Sequence, residues 1–297
     1  MIIRRFRPVR EISARNLLAC LCVGTGLLAP RSTHAHGELD LRIAAATAEI
    51  SKNTNSTLLY LARGELHREH RDWPASTADY DRAAQLDPEL ATVDFCRARA
   101  LADAAQLTEA GKMFDRYLAR RPTDGNAFLE RARLKVRTGE NRAAVADFTR
   151  GLELVREPQP EFYLERAQIL VALGETNTAL PGLDEGIKKL GPSVTLQVFA
   201  IELELTGKKF DSVIARLNTI IAQAARKETW LARRGEIEVL AGRRDDARKS
   251  FEAALVAVAQ LPMRLQQNPP MLNLKARINA ALGSLTNTPQ TQTEKAK

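Results

Sequence analysis

Two histidines, His67 and His70, stand three residues apart with Glu69 between them, a spacing that puts both imidazoles on one face of a helix. Zinc needs three or four such ligands, and no other His, Cys, Asp or Glu is spaced to complete the set, so no metal is expected. Of the three cysteines, Cys20 and Cys22 fall near the N-terminus and Cys96 lies alone in an apolar, helical setting. With no histidine near it in sequence, Cys96 reads as a small buried hydrophobe rather than a thiolate nucleophile. There is no Ser-His-Asp set and no pair of carboxylates in a polar loop, and Gly24-Thr25-Gly26 is too short for a phosphate loop. Catalysis and a cofactor are therefore not expected. The chemistry left is charge. An arginine recurs as Arg63, Arg97, Arg131, Arg166 and Arg234, either as a ladder for an acidic ligand or as one half of an internal ion pair. Asp79 and Asp147 stand sixteen residues after Arg63 and Arg131, which favours the pairs Arg63–Asp79 and Arg131–Asp147 as structural.

The elements that position these side chains begin after an address. The 297 residues, 44% hydrophobic and 27% charged, describe a folded chain rather than low-complexity disorder. Of the formal net charge of +8, residues 1–35 carry +5 through six arginines against Glu11, which leaves +3 for the rest. That balance is ordinary. With 5% aromatic residues for base stacking, it gives no motive for nucleic-acid binding. The basic start, the apolar stretch Leu17 to Ala29 and the small residues before His36 form a secretory signal peptide over 1–35, cleaved after Ala35. The apolar stretch is too short to span a bilayer, which takes about 20 residues. Leu17-Leu18-Ala19-Cys20 is lipobox-like, but Leu18 fits poorly and Arg15 leaves almost no apolar run, so a lipoprotein is not expected. The expected location is periplasmic or secreted, with no membrane insertion after cleavage.

Downstream, three columns keep one phase. Aligned on a bulky residue, Tyr80, Phe114, Phe148, Leu183, Arg216 and Phe251 recur at steps of 34, 34, 35, 33 and 35. Four residues earlier stand Ser76, Ala110, Ala144, Ala179, Ser212 and Ala247; sixteen earlier stand Gly64, Ala98, Ala132, Ala167, Ala200 and Gly235. Small residues on two antiparallel helices let their backbones approach, and the bulky one fills the gap between neighbouring hairpins. Gly139, Gly174, Gly207 and Gly242 mark the turns where a left-handed residue is needed. Pro88, Pro122, Pro158 and Pro192 close second helices.

These residues resemble the tetratricopeptide repeat. The likeness is clearest over Tyr60 to Pro88, and six copies cover residues 57–261, the second and fifth departing most: Ala105 replaces the turn glycine, Tyr117 a small residue, Arg216 the bulky one. The resemblance implies an all-α, right-handed α-solenoid of about six antiparallel helix-pair repeats. A capping helix over 36–56, with Leu41, Ala44, Ala45 and Ala48 at helical spacing, would precede it. A second cap over 262–283, sealed by Leu272, Leu274, Ile278 and Leu282, would follow, then a disordered tail over 284–297. In that family the first helices line the concave face, which here places Leu61, Phe95, Leu129 and Leu164 inward, with Glu65, Arg99, Arg133 and Gln168 a turn further on. The apolar four either form pockets for a partner or pack on the second helices. The asparagine–lysine grip on a C-terminal carboxylate is absent, although Arg99, Arg133 and Arg137 could hold an acidic partner. The resulting expectation is an exported, non-catalytic scaffold for a protein or peptide; the alternative is an enzyme-associated accessory subunit or a ligand or metal carrier on the same solenoid.

Overall fold

The small-and-bulky columns predict helix pairs, and the computed structural model, which describes residues 33–286, contains only helices among its regular elements. Residues 1–32, which hold most of the signal peptide expected over 1–35, and residues 287–297 lie outside the described residues. The chain forms two units, divided between Ala179 and Leu180. The first holds α1 (Thr33–Lys52), the hairpins α2/α3 (Thr57–Glu69, Trp73–Leu86), α4/α5 (Thr92–Asp103, Leu107–Arg120) and α6/α7 (Gly125–Thr138, Asn141–Leu154), then α8 (Pro160–Ala172). The division falls inside α9 (Thr176–Leu190), which carries Pro181 in its interior. The second unit holds α10/α11 (Val194–Thr206, Phe210–Gln223), α12/α13 (Glu228–Leu240, Arg244–Ala259), the single turn α14 (Met263–Gln266) and α15 (Pro269–Thr286). Within each unit consecutive helices pack on one another.

Tyr80, Phe114, Phe148, Leu183 and Phe251 are fully buried, as are Ser76, Ala110, Ala144, Ala179 and Ala247. The close approach is tightest at Gly64, where a Cβ would sit 2.5 Å from Cε1 of Tyr80, and at Gly235, where it would sit 2.8 Å from the Phe251 ring. Asp72 and Asp124 start α3 and α6 by accepting the N–H of Ala75 and Ala127 at 3.2 and 3.1 Å.

The fifth hairpin corrects the sequence register. Its buried residues are Val213 and Leu217, not Ser212 and Arg216, and Leu217 follows Leu183 and precedes Phe251 by 34 residues in each case. The left-handed turn residues agree: Arg71, Ala105 and Lys208 join Gly139, Gly174 and Gly242 at positive φ, whereas Gly207 has φ −86°. Reading Gly207 as the turn residue placed that hairpin one position early. The regular step puts Ile201 rather than Ala200 in the small column, and both are buried.

At the ends, the faces differ from those expected. α1 turns Ile43, Ala46 and Ile50 inward and leaves Leu41, Ala44, Ala45 and Ala48 exposed. Arg63 donates to its Thr47 Oγ1 at 3.1 Å. α15 buries Met271, Leu274, Ile278 and Leu285, with Leu282 only partly covered and Leu272 half exposed. The cap thus runs past residue 283 to Thr286, because Leu285 finds a place in the same apolar cluster.

Candidate functional site

Guanidinium groups, their positions set by the repeat, are the most concentrated polar chemistry in the first unit. Arg63 forks onto Asp79 with Nε–Oδ2 2.9 Å and Nη2–Oδ1 2.6 Å, and Arg131 forks onto Asp147 at 2.7 and 2.8 Å. The remaining nitrogen reaches the preceding second helix: Arg131 Nη1 donates to Asp115 Oδ1 at 2.7 Å, and Arg97 donates to Asp81. In the second unit Arg234 donates to Ser250 Oγ (3.0 Å) and Asn218 Oδ1 (2.7 Å). Each partner lies sixteen residues before or after its arginine, so at Arg131 and Arg234 one planar fork ties a first helix to the second helices on both sides. Asp79 and Asp147 are only 4% and 5% exposed. The bonds to Asp79 lift the Arg63 guanidinium above its ordinary value; at Arg131 burial pulls the other way and the bonds to Asp147 outweigh it. Arg166 is buried, its guanidinium 5.5 Å from the centre of the Tyr163 ring.

The fifth hairpin makes the same tie with reversed polarity. Ala200 holds the arginine's place, and Arg216 of the second helix donates to Glu204 of the first at 2.9 Å, to Gln197 at 3.2 Å and to Asp184 at 2.8 Å.

A different set of arginines lines a cavity. The first helices α2, α4 and α6 border a cavity of about 360 Å³ lined by Arg68, Arg99, Arg133 and Arg137, with Asp103, Glu130, Phe114 and Leu134. Glu65 holds two of the four, accepting from Arg68 Nε at 3.1 Å and Arg99 Nη1 at 2.9 Å, while Tyr80 Oη donates to it at 2.6 Å. Arg68 also donates to Asp103. Arg133 forks onto Glu165 of α8 at 2.9 and 2.7 Å and lies 4.6 Å from the centre of the Phe162 ring; those bonds raise its pKa against the effect of burial. Arg99 stands 5.7 Å from the Phe95 ring, itself 5.1 Å from Tyr117. Arg137 is exposed and has no hydrogen bond or ion pair among the described residues.

Of the residues the sequence singled out, Arg99, Arg133 and Arg137 come together in this cavity, with Glu65 behind Arg99. Leu61 and Leu129 do not line a pocket: they are 7% and 1% exposed. Leu61 packs with Tyr80, Val93 and Cys96. Leu129 lies so close to α7 that a Cβ on Gly151 would come within 2.7 Å of it. Phe95, Leu164 and Gln168 are half-buried. Reasoning from sequence missed Arg68, Glu130 and the clamp of Glu165 on Arg133; the available signal was an acid one repeat-length from a base, as Glu65 is from Arg99. His67 points between Asp72 and Asp79, at 3.9 and 4.0 Å, while His70 faces Asp40 of α1 at 3.3 Å. The two imidazoles thus have different surroundings. Among the described residues no three His, Cys, Asp or Glu side chains cluster to hold a metal, and no helix is long and apolar enough to cross a membrane. Burial pushes the Cys96 thiol up to about 12, which keeps it protonated and unreactive.

The sequence model of the tetratricopeptide-repeat family matches residues 61–125 and 129–194. Among solved structures, the C-terminal part of a repeat-containing protein of this kind from Cytophaga hutchinsonii is 11% identical, covering 88% of this chain and 99% of that one with a TM-score of 0.58. A tetratricopeptide repeat protein from Parabacteroides merdae is 17% identical over 85% of this chain and 94% of its own, with a TM-score of 0.47. Comparison with curated proteins gives no match. At such identities the first of these likenesses speaks for the fold alone.

Proposed function

The chain is a tetratricopeptide-repeat protein, its matched repeats spanning residues 61–194, and from that premise we propose that it is an exported, non-catalytic scaffold that holds an acidic segment of a protein partner against its first helices. The observation that carries this reading is the cavity bordered by α2, α4 and α6, where four guanidinium groups from three successive repeats meet around open space. Arg99 uses one of its five N–H donors and Arg133 two, and Arg137 uses none. The remaining donors are directed at nothing internal and suit carboxylates. Glu65 and Glu165 fix the guanidinium planes before a ligand arrives, which lowers the ordering cost of binding. The export part rests on residues 1–35, whose basic start, apolar stretch and small residues at the cleavage position have the order of a signal peptide.

The test is fluorescence anisotropy with a labelled twelve-residue acidic peptide and its lysine counterpart. The acidic peptide should bind, more weakly as salt rises, and the lysine peptide should not. Arg137→Glu, at an exposed position without partners, should weaken binding about tenfold or more while the melting profile stays unchanged. Binding indifferent to the sign of the peptide's charge would refute the site. Mass analysis of the protein from its producing cells should give an N-terminus at His36; a retained Met1 would refute export.

A further inference from the structure

Resting on the reading of this cavity as a site for acidic segments, we infer that the segment it holds also carries a basic residue, received by Glu130, so that the partner presents a base and an acid along α6 rather than a run of acids. Most charges that line the cavity are matched inside the protein. Arg68 donates to Glu65 and Asp103, Arg99 to Glu65, and Arg133 to Glu165. Two lining charges are not. Arg137 has no hydrogen bond or ion pair among the described residues, and neither has Glu130, a half-buried carboxylate. Both belong to α6, where Glu130, Arg133 and Arg137 follow one another at steps of three and four residues and so share a face. Two turns separate Glu130 from Arg137, and no ion pair joins them. One face of a single helix therefore brings an unmatched anion and an unmatched cation to the same cavity.

The surroundings of Arg133 strengthen the negative end. Glu165 binds that guanidinium and does most to raise its pKa against burial, and the charges of Glu130 and Glu161 act in the same direction. Glu161 is exposed and also makes no hydrogen bond or ion pair among the described residues. One guanidinium thus stands among three carboxylates. A further acid brought there by a partner would add repulsion, whereas a lysine or arginine would relieve it. At Arg137 the preference is the opposite. A uniformly acidic segment passing both positions gains at one and loses at the other, and a segment of mixed sign gains at both.

The experiment compares two twelve-residue peptides by calorimetry at low salt, one with four Glu, four Ser and four Lys in successive blocks, the other with its Lys block replaced by Ser. The first should bind about two- to fivefold tighter, the gain of an exposed charge pair, although it carries no net charge. Glu130→Gln, checked for folding by circular dichroism, should abolish that preference, and Glu130→Lys should reverse it. Equal or tighter binding of the Ser-substituted peptide by the parent protein, or a preference that survives Glu130→Gln, would overturn the role of Glu130 while leaving an acidic-partner site intact. Failure of both peptides to bind would remove both readings.

Discussion

Gly64→Ala tests whether the repeat's geometry is set by contact between the two helices of a hairpin. The added Cβ would lie 2.5, 2.9 and 3.2 Å from Cε1, Cδ1 and Cζ of Tyr80, a fully buried ring whose hydroxyl is tied to Glu65 at 2.6 Å. Relieving those contacts to an ordinary carbon–carbon distance of about 3.5–4.0 Å moves ring or helix by about 1 Å. Such overpacking costs about 1–3 kcal/mol, against which the alanine returns about 1 kcal/mol of helix propensity. Gly111→Ala is the matched control. Its Cβ meets only Leu134 Cδ2 at 3.7 Å, so the propensity gain of about 1 kcal/mol stands alone. Urea denaturation followed by circular dichroism should therefore lower the midpoint, or at best hold it, for Gly64→Ala and raise it for Gly111→Ala, the two variants differing by about 1–3 kcal/mol. Because Tyr80 bears on Glu65 and Glu65 on Arg99, the first variant should also weaken acidic-peptide binding. Midpoints that rise equally in both would refute the reasoning.

Ala105→Gly and Lys208→Gly, at φ 61° and 53°, should each raise the unfolding free energy measured in urea by about 0.5–1 kcal/mol, the left-handed cost of a Cβ less the chain entropy of glycine. Gly207→Ala, at φ −86°, should not lower it. Arg131→Ala leaves Asp147, 5% exposed, with only Lys135 at 2.7 Å and should cost about 1–3 kcal/mol; a double-mutant cycle with Asp147→Asn should give a coupling above about 0.5 kcal/mol, and a coupling near zero would make the fork incidental. Cys96, raised from 9.0 to about 12, keeps its proton longer in the folded than in the unfolded chain. Its contribution to stability is therefore complete below about pH 9 and is lost as pH climbs toward 12, so Cys96→Ala should show a shallower alkaline decline in denaturation midpoint than the parent.

What could be read from the sequence was whatever repeats by residue type. Tyr80, Phe114 and Phe148 announce themselves because nothing else of that size fits their phase, and Ala110 and Ala144 mark the face they meet. The hairpin order, the proline stops and the polar pairing of Arg63 and Arg131 followed from those columns. Identity alone misled where size and burial part company. Leu129 stands in a column that residue type left open between a ligand pocket and the second helix, and the missing side chain of Gly151 draws it into the hairpin. On α1 the run Leu41, Ala44, Ala45 and Ala48 is as periodic as Ile43, Ala46 and Ile50, and only the presence of α2 decides which set is covered. The cavity was half legible. Its arginines recur in phase, but the acids that aim them come from neighbouring repeats, and a pairing such as Arg133 with Glu165 depends on packing between hairpins rather than on periodicity within them.

The fifth hairpin shows what the repeat conserves when its residues change. Position by position it lacks the arginine, having Ala200, and places a cation, Arg216, where the first, third and sixth copies put Asp79, Asp147 and Ser250. Glu204 then supplies the negative charge from the first helix, at the place of His67 and Lys135 in the first and third copies, where the side chains that face the acid are basic or titratable. The buried electrostatic tie between the two helices survives with its sign reversed, so the constraint acts on complementarity across the hairpin rather than on either residue. A lone buried charge would cost several kcal/mol, which is why the two departures occur together. The same requirement bears on the open site: Arg68, Arg99 and Arg133 each have an internal acid, whereas Arg137 has none, making Arg137 the position where a partner's carboxylate adds a charge contact without displacing one.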